Sequence, residues 1–173
     1  MSIKRSRAAK GLTRGDKVEL YVESDKAMQL LGKKIAPLLT KGDIVYLRGE
    51  LGAGKTTLVR GITRGMGYPG KVTSPTFTLM NIYPVDPDIY HFDFYRLEEN
   101  DLNDLGLDDY LAGEGITLIE WPEVGLNMLP SEALVISISL VDDDYDRERK
   151  VEITARGPYY EQKLKEIEET CLL

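Results

Sequence analysis

Hydrophobic and polar residues alternate in three short segments, the pattern that β-strands show when they bury one face. The first segment runs from Lys17 to Val22, and the other two cover residues 134–141 and 151–155. The acidic stretch between the last two, Asp142 to Glu148, is typical of a solvated loop. The alternation therefore predicts an N-terminal strand and an antiparallel hairpin near the C-terminus.

Three further segments are short and mostly apolar without alternation, as in strands that are buried on both faces. They are Ile44–Leu47, Ile89–Phe92 and Ile116–Ile119. Another strand is predicted near Phe77–Tyr83, after a loop that is rich in hydroxyl side chains. Strands that are separated by helical segments favour an α/β fold with a mixed, partly parallel central sheet.

Helical spacing of apolar residues predicts four helices between and after these strands. Ser24 or Asp25 is expected to cap the first helix, and Pro37 to end or kink it. Asn100 or Asp101 is expected to cap the short third helix, and Pro158 to open the last one. The apolar residues that define the four helices are Ala27, Leu30, Leu31, Ile35 and Leu38; Leu58, Val59, Ile62 and Met66; Leu102, Leu105 and Leu111; and Leu164, Ile167 and Cys171.

Composition adds the expectation of a single domain over residues 17–173. The chain has 173 residues, of which 42% are hydrophobic and 29% are charged, enough for one core. No apolar run reaches the length of a membrane span, so no membrane contact is expected. Cys171 is the only cysteine and no apolar signal segment begins the sequence. Both observations favour a reducing, cytoplasmic setting.

The N-terminal residues 1–16 show no periodicity and are expected to form a basic, disordered arm. Residues 1–17 carry six basic side chains and one acidic one, whereas the whole chain has a net charge of −7. The overall acidity argues against a broadly basic surface for nucleic acid. The arm could contact RNA phosphates or could be a tail without a ligand, and the second interpretation is the one we favour.

One nine-residue stretch carries the strongest chemical signal in the sequence, because it matches the P-loop pattern G-x-x-x-x-G-K-[ST]. It follows the apolar run 44–47 and precedes residues at helical spacing, which is the strand–loop–helix setting that the motif requires. Backbone N–H groups of such a loop point at phosphate oxygens, the lysine binds the β- and γ-phosphates, and the hydroxyl binds Mg²⁺. The residues predicted to bind ATP in this way are Gly49, Glu50, Leu51, Gly52, Ala53, Gly54, Lys55, Thr56 and Thr57.

Two carboxylates stand at the ends of apolar strands, where ligands of open α/β sheets bind. Asp93 follows residues 89–92 and matches a Walker-B aspartate, which supports Mg²⁺. Glu120 follows residues 116–119 and could bind the metal ion or orient the attacking water. The alternative for each residue is a cap or an ion-pair partner at the strand end. Lys55, Asp93 and Glu120 are therefore the predicted catalytic residues, and Thr56, Asp93 and Glu120 the predicted metal-site residues.

Other candidate residues have weaker support. Trp121, the only tryptophan, is expected either beside the nucleotide or in the core. The segment Ser74–Thr76 could sense the γ-phosphate or could be a plain turn. His91, the only histidine, has no ligand cluster in the sequence, which favours a structural role. Arg60 and Arg96 could stabilise transferred charge, although arginines more often form surface pairs.

Four segments taken together resemble the TsaE (YjeE) family. They are Gly49–Thr57, Ser74–Phe77, His91–Leu97 and Ile119–Glu123, and their order and spacing agree with that family from about Val18 to Ala155. The joint pattern is much more specific than the P-loop alone. Its implied fold is a P-loop NTPase-like sandwich of α/β class that ends in an antiparallel hairpin.

The resemblance also implies an activity and partners. Members of the family are bacterial ATPases required for the N6-threonylcarbamoyladenosine modification at position 37 of tRNAs that read ANN codons. They bind the TsaD–TsaB pair, and through it they act on tRNA indirectly. Their hydrolysis of Mg-ATP supports repeated turnover and not the carbamoyl transfer itself.

Carried over to this sequence, the resemblance gives each matching residue a role. Lys55 and Thr56 would bind phosphate and Mg²⁺, and Asp93 would be the Walker-B-like acid. Glu120 would be the second metal-site or water-positioning acid, and Trp121 would lie next to the nucleotide. The residues of the implied switch-like loop are Ser74, Pro75, Thr76 and Phe77.

Three other functions share part of this pattern. A small-molecule kinase has the same P-loop and Mg²⁺ but needs a basic lid, and no arginine-rich lid segment is present. A GTP-binding switch usually has D-x-x-G and N-K-x-D motifs, and the sequence has neither. A module that only holds nucleotide would not need both Asp93 and Glu120. The kinase is the main alternative to the ATPase.

Overall fold

One eight-stranded sheet organises the chain in a computed structural model that describes residues 3–5 and 17–172. The strands are β1 Ile3–Arg5, β2 Lys17–Val22, β3 Ile44–Arg48, β4 Met80–Tyr83, β5 Ile89–Asp93, β6 Ile116–Glu120, β7 Ala133–Val141 and β8 Asp144–Arg156. Their spatial order is β1-β2-β8-β7-β3-β6-β5-β4. β3 is parallel to both of its neighbours, β6 and β7, and β6 is parallel to β5. The remaining pairs are antiparallel, so the predicted mixed sheet with a C-terminal hairpin is confirmed.

Helices cover both faces of this sheet and give it two separate hydrophobic clusters. They are α1 Asp25–Ile35, α2 Lys55–Gly65, α3 Leu107–Leu111 and α4 Pro158–Leu172. α1, α2 and α4 bury their apolar residues against one face. Residues from the segments 97–111 and 121–129 pack on the other face, around Phe92 and Phe94. The two sides of β3 contribute to different clusters, with Val45 and Leu47 on the α2 side and Tyr46 opposite.

The close packing of α1 against α2 depends on small residues at the crossing point. A Cβ atom added to Gly32 would lie 2.6 Å from the carbonyl oxygen of Leu58, closer than real side chains allow. Gly61 faces the backbone of Gln29 in the same way. The two glycines therefore let the backbones approach, which fixes the position of α2 and of the loop that precedes it.

The first helix begins and ends as predicted. Ser24 is its N-cap, and the Ser24 side chain accepts a hydrogen bond from the Ala27 N–H. The α-helix ends at Ile35, and Pro37 lies in the 3₁₀-helix Ala36–Leu38 that follows it. Pro37 cannot donate a backbone hydrogen bond, which explains the change of helix type.

Two predictions in the middle of the chain are wrong in detail. The strand expected from Phe77 begins only at Met80, because Leu79 N–H donates to Pro75 C=O at 2.7 Å and closes a turn. The helix expected from residue 100 to 111 is split into the 3₁₀-helix Glu99–Asp104 and α3. Glu98, not Asn100 or Asp101, is the N-cap, and Asp101 completes the capping box by accepting a hydrogen bond from Glu98 N–H.

The C-terminal hairpin is tighter than its acidic sequence suggested. The predicted loop over residues 142–148 is a two-residue turn, since β8 already begins at Asp144. Asp142 and Asp143 both have positive φ angles, 54° and 55°, as the twist of a two-residue hairpin turn requires. Carboxylates that were expected in a loop are therefore part of a strand.

The N-terminal arm departs from the expected disorder at one place. Residues Ile3–Arg5 form β1, which pairs with β2 at the edge of the sheet, so the expectation of disorder is wrong for these three residues. Residues 1–2 and 6–16 lie outside the described residues. Within the described part of the chain, no helix is both long and apolar enough to cross a membrane.

Candidate active site

The P-loop connects the end of β3 to the start of α2 and curls around the N-terminus of that helix. Three of its glycines, Gly49, Gly52 and Gly54, have φ angles of 146°, 78° and 114°, a region that residues with a Cβ rarely adopt. Gly49 also lies against the carbonyl of Ile138, where a side chain would collide. These glycines allow the loop to turn its N–H groups inward, as an anion-binding loop requires.

Lys55 is the first residue of α2, and its side chain is folded back over the loop. Its Nζ donates hydrogen bonds to the carbonyl oxygens of Gly49, at 2.5 Å, and Glu50, at 2.9 Å. The same nitrogen lies 4.4 Å from the centre of the Trp121 ring. Burial lowers the pKa of Lys55, and the nearby carboxylates of Glu120 and Asp93 oppose that effect. Lys55 is thus a largely buried cation that is held by two loop carbonyls beside the cavity.

Thr56 links the loop to a neighbouring strand. Its Oγ1 donates a hydrogen bond of 2.8 Å to Oε1 of Glu120, the last residue of β6. β6 lies parallel to β3, with Glu120 opposite Leu47 two residues before the P-loop begins. The parallel pairing therefore brings the hydroxyl and the carboxylate together at the carboxyl edge of the sheet.

Asp93 lies at the same edge, one strand further along. It ends β5 and pairs in register with Glu120. Its Oδ2 accepts hydrogen bonds from the hydroxyls of Ser74, at 3.2 Å, and Thr76, at 2.8 Å, while Oδ1 accepts one from Tyr95 N–H. Two residues of the predicted switch-like loop therefore contact the predicted Walker-B acid directly.

The side chains described so far surround one open cavity of about 290 Å³. The lining includes the predicted residues Lys55, Thr56, Asp93, Glu120 and Trp121, together with parts of the P-loop. Trp121 thus lines the cavity and also packs against the cluster around Phe92 and Phe94. Its backbone has a left-handed conformation with a φ of 57°. The complete lining is Asp25, Leu51, Gly52, Gly54, Lys55, Thr56, Thr57, Ser74, Thr76, Asp93, Glu120 and Trp121.

The cavity lining does not include three residues of the predicted P-loop set, Gly49, Glu50 and Ala53, or the other candidates Pro75, Phe77, Arg60 and Arg96. Pro75 lies in the turn that Leu79 closes, and Phe77 is 83% exposed, with the guanidinium of Arg96 at 4.5 Å from its ring centre. Arg60 donates to the carbonyl of Val72 at 3.4 Å. Among the described residues, no arginine is part of the cavity lining.

The oxygen atoms of Thr56, Asp93 and Glu120 suit a small, hard cation such as Mg²⁺ only if other ligands complete its coordination. Within the described residues no group of three His, Cys, Asp or Glu side chains is placed to hold a metal ion. Mg²⁺ usually keeps several waters and needs only one or two carboxylates plus phosphate oxygens. The Thr56 hydroxyl, with Glu120 and Asp93 at one cavity, fits that requirement.

Sequence reasoning missed how His91 is used. His91 is fully buried, and its Nε2 lies 2.9 Å from Glu120 Oε1, while Nδ1 lies 3.2 Å from the hydroxyl of Tyr83. One signal was available: His91 and Asp93 are two residues apart on a strand and therefore face the same side. The sequence did not show that Glu120 is the neighbour of His91, because only the pairing of β5 with β6 brings the two residues together.

Two more contacts at the site come from distant parts of the chain. Asp25, at the start of α1, lines the cavity. Tyr145, near the tip of the β7–β8 hairpin, donates a hydrogen bond of 3.1 Å to the carbonyl of Leu51. No motif marks either residue, since both reach the P-loop only through the tertiary fold.

Comparisons with known proteins find relatives over most of this chain. The family model for "Threonylcarbamoyl adenosine biosynthesis protein TsaE" matches residues 22–151, which include every residue of the cavity lining. The tRNA threonylcarbamoyladenosine biosynthesis protein TsaE of Haemophilus influenzae is 42% identical over 143 residues, 79% of this chain and 88% of that protein. The Bacillus subtilis protein of the same name is also 42% identical, over 139 residues that cover 79% of this chain and 85% of its own.

A solved structure has the same architecture. The crystal structure of YdiB from Bacillus subtilis superimposes with a TM-score of 0.75 at 32% sequence identity. The match covers 91% of this chain and 98% of that one.

Proposed function

The chain belongs to the TsaE family of threonylcarbamoyl adenosine biosynthesis proteins, and we propose that it is the ATPase of tRNA threonylcarbamoyladenosine formation. It hydrolyses Mg-ATP in a complex with TsaD and TsaB, and it acts in the cytoplasm on tRNA only through that complex. The modification is N6-threonylcarbamoyladenosine at position 37 of tRNAs that read ANN codons. The proposed hydrolysis supports repeated turnover of the complex.

One observation carries the proposal of ATP hydrolysis. A P-loop, its lysine and two strand-end carboxylates surround one cavity, with the Thr56 hydroxyl 2.8 Å from Glu120. A protein that only held nucleotide would need the loop and the lysine. The two acids that also line the cavity would supply what hydrolysis needs in addition, a means to hold a metal ion and to orient water.

The proposed chemistry is in-line attack of a water molecule on the γ-phosphorus of ATP. Inward-facing N–H groups of the loop and the Lys55 ammonium stabilise negative charge on the phosphoryl oxygens. Thr56, Asp93 and Glu120 would hold Mg²⁺, which neutralises charge on the β- and γ-phosphates when bound. Glu120 accepts hydrogen bonds and can orient the attacking water as well, and Trp121 packs over Lys55 beside the nucleotide.

Basal hydrolysis is expected to be slow, because the described residues place no arginine at the cavity. An arginine that reaches the γ-phosphate accelerates hydrolysis by about 10³–10⁵ in related systems. In this proposal the partner proteins supply the missing charge or reorder the loop 74–77. That loop is tied to Asp93 by two hydroxyls, so its movement would change the site directly.

Phosphate release from Mg-ATP tests the proposal, first with the protein alone and then with the matching TsaD–TsaB pair. Strong stimulation by the pair supports a partner-gated ATPase. Equal rates without complex formation would contradict the partner role and leave a P-loop NTPase of unassigned pathway. Nucleotide consumption only after addition of a small-molecule acceptor would favour the kinase alternative.

A further inference from the structure

A buried chain of hydrogen bonds leads from Glu120 away from the cavity. It passes through His91 to Tyr83, and both residues lie inside the protein with 0% and 3% exposure. Asn81 continues the chain, because its Nδ2 donates to the Tyr83 hydroxyl at 3.4 Å and to the carbonyl oxygen of Thr73 at 3.1 Å. Thr73 directly precedes the loop 74–77, so the chain ends at the segment that contacts Asp93.

The direction of the first hydrogen bond follows from the chemistry of its partners. An ionised carboxylate can only accept, so the hydrogen between His91 Nε2 and Glu120 Oε1 belongs to the imidazole. Nδ1 of a neutral ring is then an acceptor for the Tyr83 hydroxyl. The hydroxyl has only this one hydrogen, so the Thr73 carbonyl accepts its hydrogen bond from Asn81 Nδ2. His91 is therefore a donor to the site on one side and is itself held on the other.

The hydrogen bond from His91 also determines which Glu120 oxygen accepts hydrogen bonds from the protein. Both hydrogen bonds that the described residues direct at this carboxylate, from Thr56 and from His91, end on Oε1. Two donors on one oxygen hold that oxygen in place and restrict rotation of the carboxylate. The second oxygen, Oε2, is then the one available for water or metal at the cavity that Glu120 lines.

Both site carboxylates are thereby attached to one short segment. Ser74 and Thr76 donate to Asp93. Thr73 is joined to Glu120 through Asn81, Tyr83 and His91. A shift of residues 73–76 would change the surroundings of the two acids at the same time.

We propose that His91 is a positioning residue for Glu120 and that, through Tyr83 and Asn81, it couples the Glu120 carboxylate to the segment 73–76. The inference rests on the hydrolysis proposed above and adds the element that keeps its second acid in place. His91 does not touch the cavity, so it acts only through Glu120. Partners that orient a ligating or reacting group typically contribute a factor of about 10–100.

Two amide variants separate positioning from space filling, because each amide nitrogen imitates one ring nitrogen. In His91→Gln the amide reaches the place of Nε2 and can still donate to Glu120. In His91→Asn it reaches only the place of Nδ1 and loses that contact. We expect His91→Asn to lower kcat by about 10–100-fold, and His91→Gln to stay within a few-fold of the parent protein.

Nucleotide affinity provides the second measurement, with Trp121 as the single tryptophan and reporter. ADP binding to both variants, followed by tryptophan fluorescence without Mg²⁺, is expected to stay within about threefold of the parent, since neither variant changes the P-loop. Equal losses of kcat in the two variants, or losses of affinity that match them, would indicate a core residue and overturn the proposal. A parent protein that hydrolyses no ATP, alone or with TsaD–TsaB, would instead contradict the proposed function.

A nuclear magnetic resonance measurement, which needs no hydrolysis, tests the proposal even if the two His91 variants do not fold. The chain has one histidine, so its imidazole gives a single set of nitrogen signals in a long-range proton–nitrogen spectrum. The expected result is a proton on Nε2 and a shift of that nitrogen in Glu120→Gln, with Tyr83→Phe shifting Nδ1. A neutral ring protonated on Nδ1 would leave no hydrogen for Glu120 and would refute the positioning role. An Nδ1 signal that is unchanged in Tyr83→Phe would refute the coupling to Thr73.

Discussion

Thr56 Oγ1 donates a hydrogen bond of 2.8 Å to Glu120 Oε1, and this contact joins the phosphate-binding loop to β6. The two residues are 64 positions apart and meet only because β6 lies beside β3. A hydroxyl and a carboxylate at this distance can both approach one cation. We therefore expect substitutions of Thr56 and Glu120 to have different effects on ATP turnover and nucleotide binding.

Thr56→Ala is expected to abolish Mg-ATP turnover, because it removes both the hydroxyl at the proposed metal site and one donor to Glu120. Thr56→Ser keeps the hydroxyl and is the matched control, with turnover within a few-fold of the parent. Steady-state phosphate release measures both. Full activity of Thr56→Ala would show that the metal site is elsewhere.

Glu120→Ala is expected to keep nucleotide binding and to lose most hydrolysis, by about 10²–10⁴-fold if the carboxylate acts as a general base. Trp121 fluorescence gives the ADP affinity, and phosphate release gives the rate. Glu120→Gln retains the shape and an acceptor for Thr56 and should lose a similar factor, since it lacks the charge. A loss of Mg²⁺-dependent affinity in place of rate would make Glu120 chiefly a metal or structural residue.

The parts of the site that sequence reasoning predicted obey local rules. The P-loop is defined by glycine positions and by the strand and helix on either side, and Asp93 and Glu120 by their places at strand ends. Parallel strands bring their carboxyl ends to one edge, so the meeting of these acids with Lys55 follows from strand direction alone. The structure places all three at one cavity, while their catalytic roles stay a prediction.

The parts that sequence reasoning did not predict depend on contacts between distant segments. His91 meets Glu120 through the β5–β6 pairing, and Tyr145 meets Leu51 across 94 positions of sequence. A local pattern also misled: the apolar residues near Phe77 suggested a strand, although Phe77 is exposed and the hydrogen bond from Leu79 to Pro75 makes a turn. Strand preference depends on packing against cross-strand neighbours, which the sequence alone does not show.

Cys171 is expected to react slowly with thiol reagents as long as α4 is packed. Burial raises the pKa of its thiol to about 11 from 9.0, and the residue is 5% exposed. At pH 8 this shift alone reduces the reactive thiolate about a hundredfold, before any effect of access. The rate at which a thiol reagent labels the folded protein at pH 8, compared with the rate in urea, measures this protection of Cys171.

The same shift predicts that α4 becomes less stable at alkaline pH. The folded pKa lies above the unfolded one, so the contribution of the neutral thiol is fully present below pH 9 and is lost as the pH rises towards 11. Cys171→Ser serves as the control that removes this titration. A native labelling rate equal to the rate in urea would contradict the buried position of the thiol.

Lys163→Ala is expected to destabilise the fold by about 3–5 kcal/mol, because it leaves a buried carboxylate without its ion-pair partner. Lys163 Nζ lies 2.7 Å from Asp43 Oδ2 and also donates to the carbonyl of Leu38, and both side chains of the pair are almost fully buried. The pair ties α4 to the residue just before β3, the strand that carries the P-loop.

Lys41→Ala is the matched control. The exposed pair of Lys41 with Glu114 is similarly short, 2.6 Å, and should contribute less than about 1 kcal/mol. Urea unfolding of the two variants measures the difference, and equal midpoints would show that the buried pair does not hold α4 to the sheet.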